Sequence, residues 1–179
     1  MKLGYIIISP ENNIGGLKNT IRSITNNYED AKIVCTVSSN IKKEQLSEYK
    51  SICKTYKGKN TITSLINKGF EKTEEEWNVI ITEGSRIIKN IEKKYFSWIK
   101  NYKDVVYPLI VNYDSKGFPV QIYDKFYDCT LNGICINKKF YKEVGNLSEN
   151  PLEISRKFWT LEAKEKKANF KSILGIKIC

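Results

Sequence analysis

Glu83, Ser85 and Arg86 stand together where an apolar run ends, in WNVIITEGSRII (77–88). A carboxylate, a hydroxyl and a guanidinium delivered by one strand end can meet a polar or phosphorylated ligand, and the forked donors of arginine suit phosphate oxygens. Gly84, between them, would equally serve an ordinary tight turn. The rest of the chain narrows the chemistry. There is no histidine, which removes Ser-His and Cys-His nucleophile systems, histidine metal ligands and histidine acid–base work. Catalysis would have to rest on carboxylates, Lys, Tyr, Cys or a bound ion. The five cysteines (Cys35, Cys53, Cys129, Cys135, Cys179) are odd in number and include no C-x-x-C pair. Neither a disulfide framework nor a zinc site is expected, and reduced thiols fit a cytoplasmic chain.

Thirty Lys and Arg against twenty Asp and Glu leave a formal charge of +10. That balance favours anionic partners such as nucleotides, polyphosphates or nucleic acid. The lysines are spread rather than clustered, so a solvated basic surface explains them as well. An apolar content of 41% and 179 residues are those of one soluble globular domain. No apolar run approaches the ~20 residues that cross a bilayer, and the amino terminus lacks a signal-peptide core and cleavage site.

The elements that must position the polar knot alternate along the first half. GYIIIS (4–9), AKIVCTVSS (31–39), CKTYK (53–57) and WNVIIT (77–82) read as strands. Between them lie helix-period segments: one carrying Leu17, Ile21 and Ile24, IKKEQLSEYKSI (41–52), and TITSLINKGF (61–70) with Asn60 as its expected cap. This order predicts an α/β fold with a mostly parallel sheet and helices on both faces. In such sheets ligands bind beyond the carboxyl ends of the strands. SPENN after the first strand, TVSSN after the second and the knot after the fourth would meet at one rim. Ser9, Thr36 and Glu83 are expected in a single cleft there.

In the second half, residues 104–113 and 119–129 read as two strands joined by a turn, followed by a strand and short helix in TLNGICINKKFYKEVG. A helix from Pro151, capped by Asn150 with Glu153 in its first turn, is expected next, and FKSILGIKI as a last strand. With no linker or repeat, 1–179 is expected to be one domain with halves 1–90 and 91–179. KGKNT lacks the glycine spacing of a P-loop and no G-x-G-x-x-G occurs, so neither classical phosphate loop is expected. Aromatics interleaved with lysine in KKYFSWIKNY and QIYDKFYD could stack single-stranded nucleic acid. Their spacing suits a core or a sugar groove better.

The succession of motifs resembles the GT-A fold of family 2-type glycosyltransferases over about residues 4 to 178. Ser9-Pro10-Glu11-Asn12 stands where these enzymes carry a Pro-x-x-Asn-like loop, and Ser23 near the end of the helix that follows. Ser38-Ser39-Asn40 closes the second strand. Asn60 starts and Asn67-Lys68-Gly69 ends the next helical segment, and Glu83-Gly84-Ser85 takes the place of Asp-x-Asp. The resemblance implies a Rossmann-like nucleotide-sugar-binding half and a smaller, mixed-strand acceptor-side half. It implies a nucleotide-sugar donor contacted by Ser9, Pro10, Asn12, Thr36, Ser38, Asn60, Asn67, Lys68 and Arg86. It also implies Mn²⁺ or Mg²⁺ held by Glu83 and Ser85, and a catalytic base at Glu149 or Glu153. The acceptor, whether glycan, protein or nucleic acid, is not implied.

Departures from the pattern bear on activity. Thr36 and Val37 stand where the family's base-binding Asp would be, Ser85 replaces the second carboxylate, and no Glu-Asp pair supplies the base. Hard oxygen donors suit Mg²⁺ and Mn²⁺, so losing one carboxylate weakens the metal expectation. Arg86 offers a metal-independent way to meet phosphate. A glycosyltransferase is therefore expected beside the alternative of a non-catalytic GT-A module with its metal site lost, or a polyanion binder.

Overall fold

The structure is a computed structural model and describes residues 2–87, 91–100, 104–108, 110–113, 119–123, 132–149, 159, 162, 163, 165 and 170–173. Its first half follows the expected alternation: β1 (Leu3–Ser9), α1 (Ile14–Thr25), β2 (Lys32–Ser38), α2 (Lys43–Ile52), β3 (Lys54–Gly58), α3 (Ile62–Lys72) and β4 (Trp77–Thr82). After these come α4 (Ile91–Ile99), β5 (Val105–Pro108), β6 (Ile110–Tyr113), β7 (Pro119–Tyr123), β8 (Cys135–Asn137), α5 (Lys138–Val144) and β9 (Phe170–Ile173). A seven-stranded sheet has the order β3-β2-β1-β4-β8-β5-β9. β8 runs antiparallel to both its neighbours, whereas the other pairings in this sheet are parallel. The fold is thus α/β with a mostly parallel central sheet.

β1 is buried along its whole length, as a strand covered on both faces must be. Its two-residue period sorts the core into two layers. Tyr5 and Ile7 pack with Leu17 and Ile24 of α1 and Tyr49 of α2. Ile6 and Ile8 pack with Leu65, Ile66 and Phe70 of α3. α1 and α2 therefore cover one face and α3 the other. Leaving the carboxyl ends of β2 and β3, the chain turns to opposite faces, which opens a crevice at that edge of the rim.

Helix starts are set by local acceptors. Asn13 caps α1, accepting from the Gly16 amide at 3.0 Å, and Asn137 caps α5. For α3 the cap is Thr61, which accepts from the Ser64 amide at 3.2 Å, and not Asn60. Asn60 is spent elsewhere, as described below. In the second half, the expected strand 104–113 is two strands, β5 in the large sheet and β6 paired with β7 in a sheet of their own. The carboxyl part of the expected strand 119–129 lies outside the described residues. So do the cap and start of the helix expected from Pro151, including Glu153. Trp159 and Ala163 are helical and pack beside Phe140 and Tyr141 of α5. Among the described residues no helix is long and apolar enough to cross a membrane.

The packing of α3 on β1 depends on one glycine. A Cβ on Gly69 would lie 2.2 Å from Ile6 Cγ2, and a branched side chain in a strand has little room to turn away. Gly69→Ala should cost about 1–3 kcal/mol by overpacking, despite the better helix propensity of alanine. Urea unfolding checks this, and a gain in stability would contradict the packing described.

Candidate functional site

The knot Thr82–Arg86 is a tight turn. Ser85 donates its amide to the Thr82 carbonyl at 3.1 Å, and Gly84 has φ +86°, which favours glycine. Three elements hold the turn in place. Asn132, just before β8, accepts from the Thr82 amide and donates to Ser85 Oγ, each at 2.9 Å. Thr20 of α1 donates to the Ser85 carbonyl at 2.9 Å, and Ser23 accepts from the Ile87 amide at 3.1 Å. Asn27 donates to the Ser23 carbonyl at 2.7 Å and to the Ile87 carbonyl at 3.4 Å. Thr20 and Ser23 share one face of α1, at i and i+3, and Asn27 follows in the turn just beyond the helix.

Glu83 points back across β1. Its Oε2 accepts from Ser9 Oγ and from the Asn13 amide at 2.9 Å, and its Oε1 from the Glu11 amide at 3.0 Å. The single Ser9 proton goes to the carboxylate, so Tyr49 donates to Ser9 Oγ at 2.9 Å and also reaches Oε2 at 3.3 Å. Burial pushes the Glu83 carboxyl above its ordinary range, against the pull of the Ser9 hydroxyl and the two amides. Burial likewise raises the Tyr49 phenol. Both oxygens of the only carboxylate in the knot are thus turned to the chain's own donors, and Ser85 Oγ is engaged by Asn132. This arrangement does not fit the divalent-ion site expected of Glu83 and Ser85. Among the described residues no three His, Cys, Asp or Glu gather into a metal-holding group.

The other expected contacts divide between two places. Ser9, Pro10 and Asn12 lie with Glu83 at the head of α1. Asn12 has φ +55°, a backbone region asparagine tolerates, and its Oδ1 is buried with no partner. Thr36 is not in that cleft. Cys35 and Val37 pack on the α1 face, so strand alternation turns Thr36 to the α3 face, where it is 0% exposed and its Oγ1 is unpartnered. Buried polar atoms without partners are rare enough to serve as pointers to a ligand. Among the described residues these two atoms belong to Asn12 and Thr36, both of them contacts that the resemblance implies.

Ser38, Ser39 and Asn60 form the second place, in the crevice between the ends of β2 and β3. Asn60 Oδ1 accepts from Ser38 Oγ and from Ser39 Oγ, the latter at 2.9 Å. The crevice continues into a cavity of about 680 Å³ bounded by the end of β3, the outer side of α3, α5 and the loop beyond it. Lys57, Lys59, Lys68 and Lys142 face it against Glu71 and Glu149. Lys59 pairs with Glu149 across the mouth, both well exposed, and Lys68 pairs with Glu71 at 2.8 Å. Asn67 is in its wall but is largely spent on structure. Its Oδ1 accepts from the Tyr141 hydroxyl and from the Leu147 amide at 2.9 Å, and its Nδ2 donates to the Leu147 carbonyl at 2.8 Å. Arg86, the last residue of the knot, is exposed, and no described residue makes an ion pair with it. Tyr49, Thr20 and Asn132 were missed from sequence, as were Lys57, Lys59 and Lys142. Only the α1 pair had a readable signal, the helical spacing of its polar residues.

No protein-family model matches the chain, and no curated protein matches it in sequence. Its fold is matched by solved structures. Residues 1–349 of S. aureus TarS in complex with UDP-GlcNAc align at TM-score 0.69 and 12% identity, over 97% of this chain and 56% of that one. The bifunctional IspDF from Campylobacter jejuni aligns at TM-score 0.65 and 14% identity, over 98% of this chain and 50% of that one. CMP:2-keto-3-deoxy-manno-octonic acid synthetase complexed with CTP aligns at TM-score 0.62 and 8% identity, over 98% and 91%. The chain thus spans about half the length of the first two. It has the GT-A-like, Rossmann-type fold.

Proposed function

We propose that this chain is a glycosyltransferase-like domain that holds a nucleotide-sugar at the carboxyl-end rim of β1, β2 and β4. The observation that carries the reading is the rim itself. At one end of a GT-A-like sheet, Pro10-Glu11-Asn12, Ser38-Ser39-Asn60 and the turn at Arg86 present polar groups. The crevice between β2 and β3 opens beside them into a basic cavity. The fold neighbour bound to UDP-GlcNAc supports a nucleotide-sugar as the ligand class.

In this reading Arg86 and the lysines around the crevice meet the diphosphate charge, and Asn60 offers its amide hydrogens to the nucleoside. Glu149 is the base, taking the acceptor hydroxyl's proton as that oxygen attacks the anomeric carbon and the nucleoside diphosphate leaves. Lys59 holds the Glu149 carboxylate at the mouth of the cavity. A non-catalytic nucleotide-sugar-binding module is the second reading. It is favoured by the full engagement of Glu83 within the chain.

Calorimetry with UDP, CDP and their sugar conjugates tests the binding. Arg86→Ala should weaken it about 10–100-fold, the worth of one charge-assisted contact. Unchanged affinity removes Arg86 from the site. Release of labelled sugar to water or an acceptor, lost in Glu149→Gln, separates the enzyme from the module.

A further inference from the structure

The corner at Glu83 has the form of an anion site with its anion built in. Two backbone amides at the head of α1, those of Glu11 and Asn13, point at one carboxylate. The Ser9 hydroxyl, itself held by the Tyr49 hydroxyl, completes the ring of donors, and both residues are 0% exposed. Convergent loop amides and a hydroxyl beside a helix N-terminus suit an oxyanion. A divalent cation would find those same donors directed at it, with no second carboxylate to offset them.

We infer that Glu83 is a positioning residue: its carboxylate fills an oxyanion nest made by Ser9, Tyr49 and the residue 11 and 13 amides, fixing loop 9–13, and it does not ligate a metal ion. The donors come from three separate elements, so the carboxylate joins β1, α2 and the head of α1 to the end of β4. That fixed loop carries Asn12, whose left-handed backbone leaves Oδ1 buried and unpartnered. Its relevance to ligand binding rests on the function proposed above, but the nest itself is a property of the unliganded protein. Its test needs no nucleotide, so failure of either idea is distinguishable from failure of the other.

Thermal unfolding of the unliganded protein with and without sodium formate is the first measurement. Glu83→Ala should lower the midpoint by about 4–10 °C, and formate should restore part of that loss while leaving the wild type unmoved. Glu83→Gln should also lower the midpoint, because its amide meets donors on one side. It should not respond to formate, because the nest is still filled. If Glu83→Ala folds only in formate the inference stands; absence of any formate effect on a folded Glu83→Ala overturns it. A second measurement needs no variant. Mn²⁺ added to ¹⁵N-labelled wild type should leave the Glu11 and Asn13 amide signals sharp. Selective broadening of those two signals at sub-stoichiometric Mn²⁺ would place the ion at the carboxylate and overturn the assignment.

Discussion

Phe70→Ala lowers the free energy of unfolding by about 3–5 kcal/mol, the usual cost of removing a large buried ring. Phe70 is 2% exposed and stacks on Tyr141 with ring centroids 3.8 Å apart and planes 11° from parallel. Tyr141 in turn lies 5.8 Å from Trp159. This aromatic column ties α3 to α5 and floors the basic cavity, so its loss should also loosen the wall carrying Glu149. Phe70→Leu keeps most of the apolar volume and should cost less than half as much. Chemical denaturation of both variants checks the pair of values; equal losses would show that the ring stack itself, rather than the apolar volume, carries the contribution.

Asn67→Ala is the second large effect, about 2–4 kcal/mol, because it strands buried groups rather than merely deleting a contact. The amide and carbonyl of Leu147 and the hydroxyl of Tyr141 would all lose the partner they have in Asn67. Asn67→Asp keeps the acceptor but loses the donor to the Leu147 carbonyl and sets a negative charge against it. It should be destabilising as well, and least so at low pH, where the carboxyl is protonated and can donate. A stable, nucleotide-specific defect in Asn67→Ala would contradict the structural role and return Asn67 to the ligand site.

Sequence patterning made the first half of the fold legible because its strands are short apolar runs and its helices carry apolar residues on one face. Both signals are local. The break between β5 and β6 is not local: residues 104–113 keep one strand-like composition while the two strands join different sheets. The cap of α3 was misplaced by one residue because Asn60 and Thr61 are both good capping types, and the choice depends on Ser38 and Ser39 claiming Asn60. Thr36 was put in the right strand but on the wrong side, an error of parity that the partners of its neighbours settle. Glu83 was recognised as a rim residue. What occupies it was hidden, since two of its donors are backbone amides 72 and 70 residues away and such donors carry no side-chain signature.

Hydrogen–deuterium exchange in the presence of a saturating UDP-sugar tests the proposed nucleotide-sugar site most directly. The account predicts slowed exchange in residues 9–13, 38–41, 58–61 and 83–86, the loops at the carboxyl ends of β1 to β4. It predicts no change in 26–31 and 73–76, which lie at the amino ends of the strands. Protection confined to those amino-end loops, or no protection with any UDP-, CDP- or GDP-linked sugar, would contradict it.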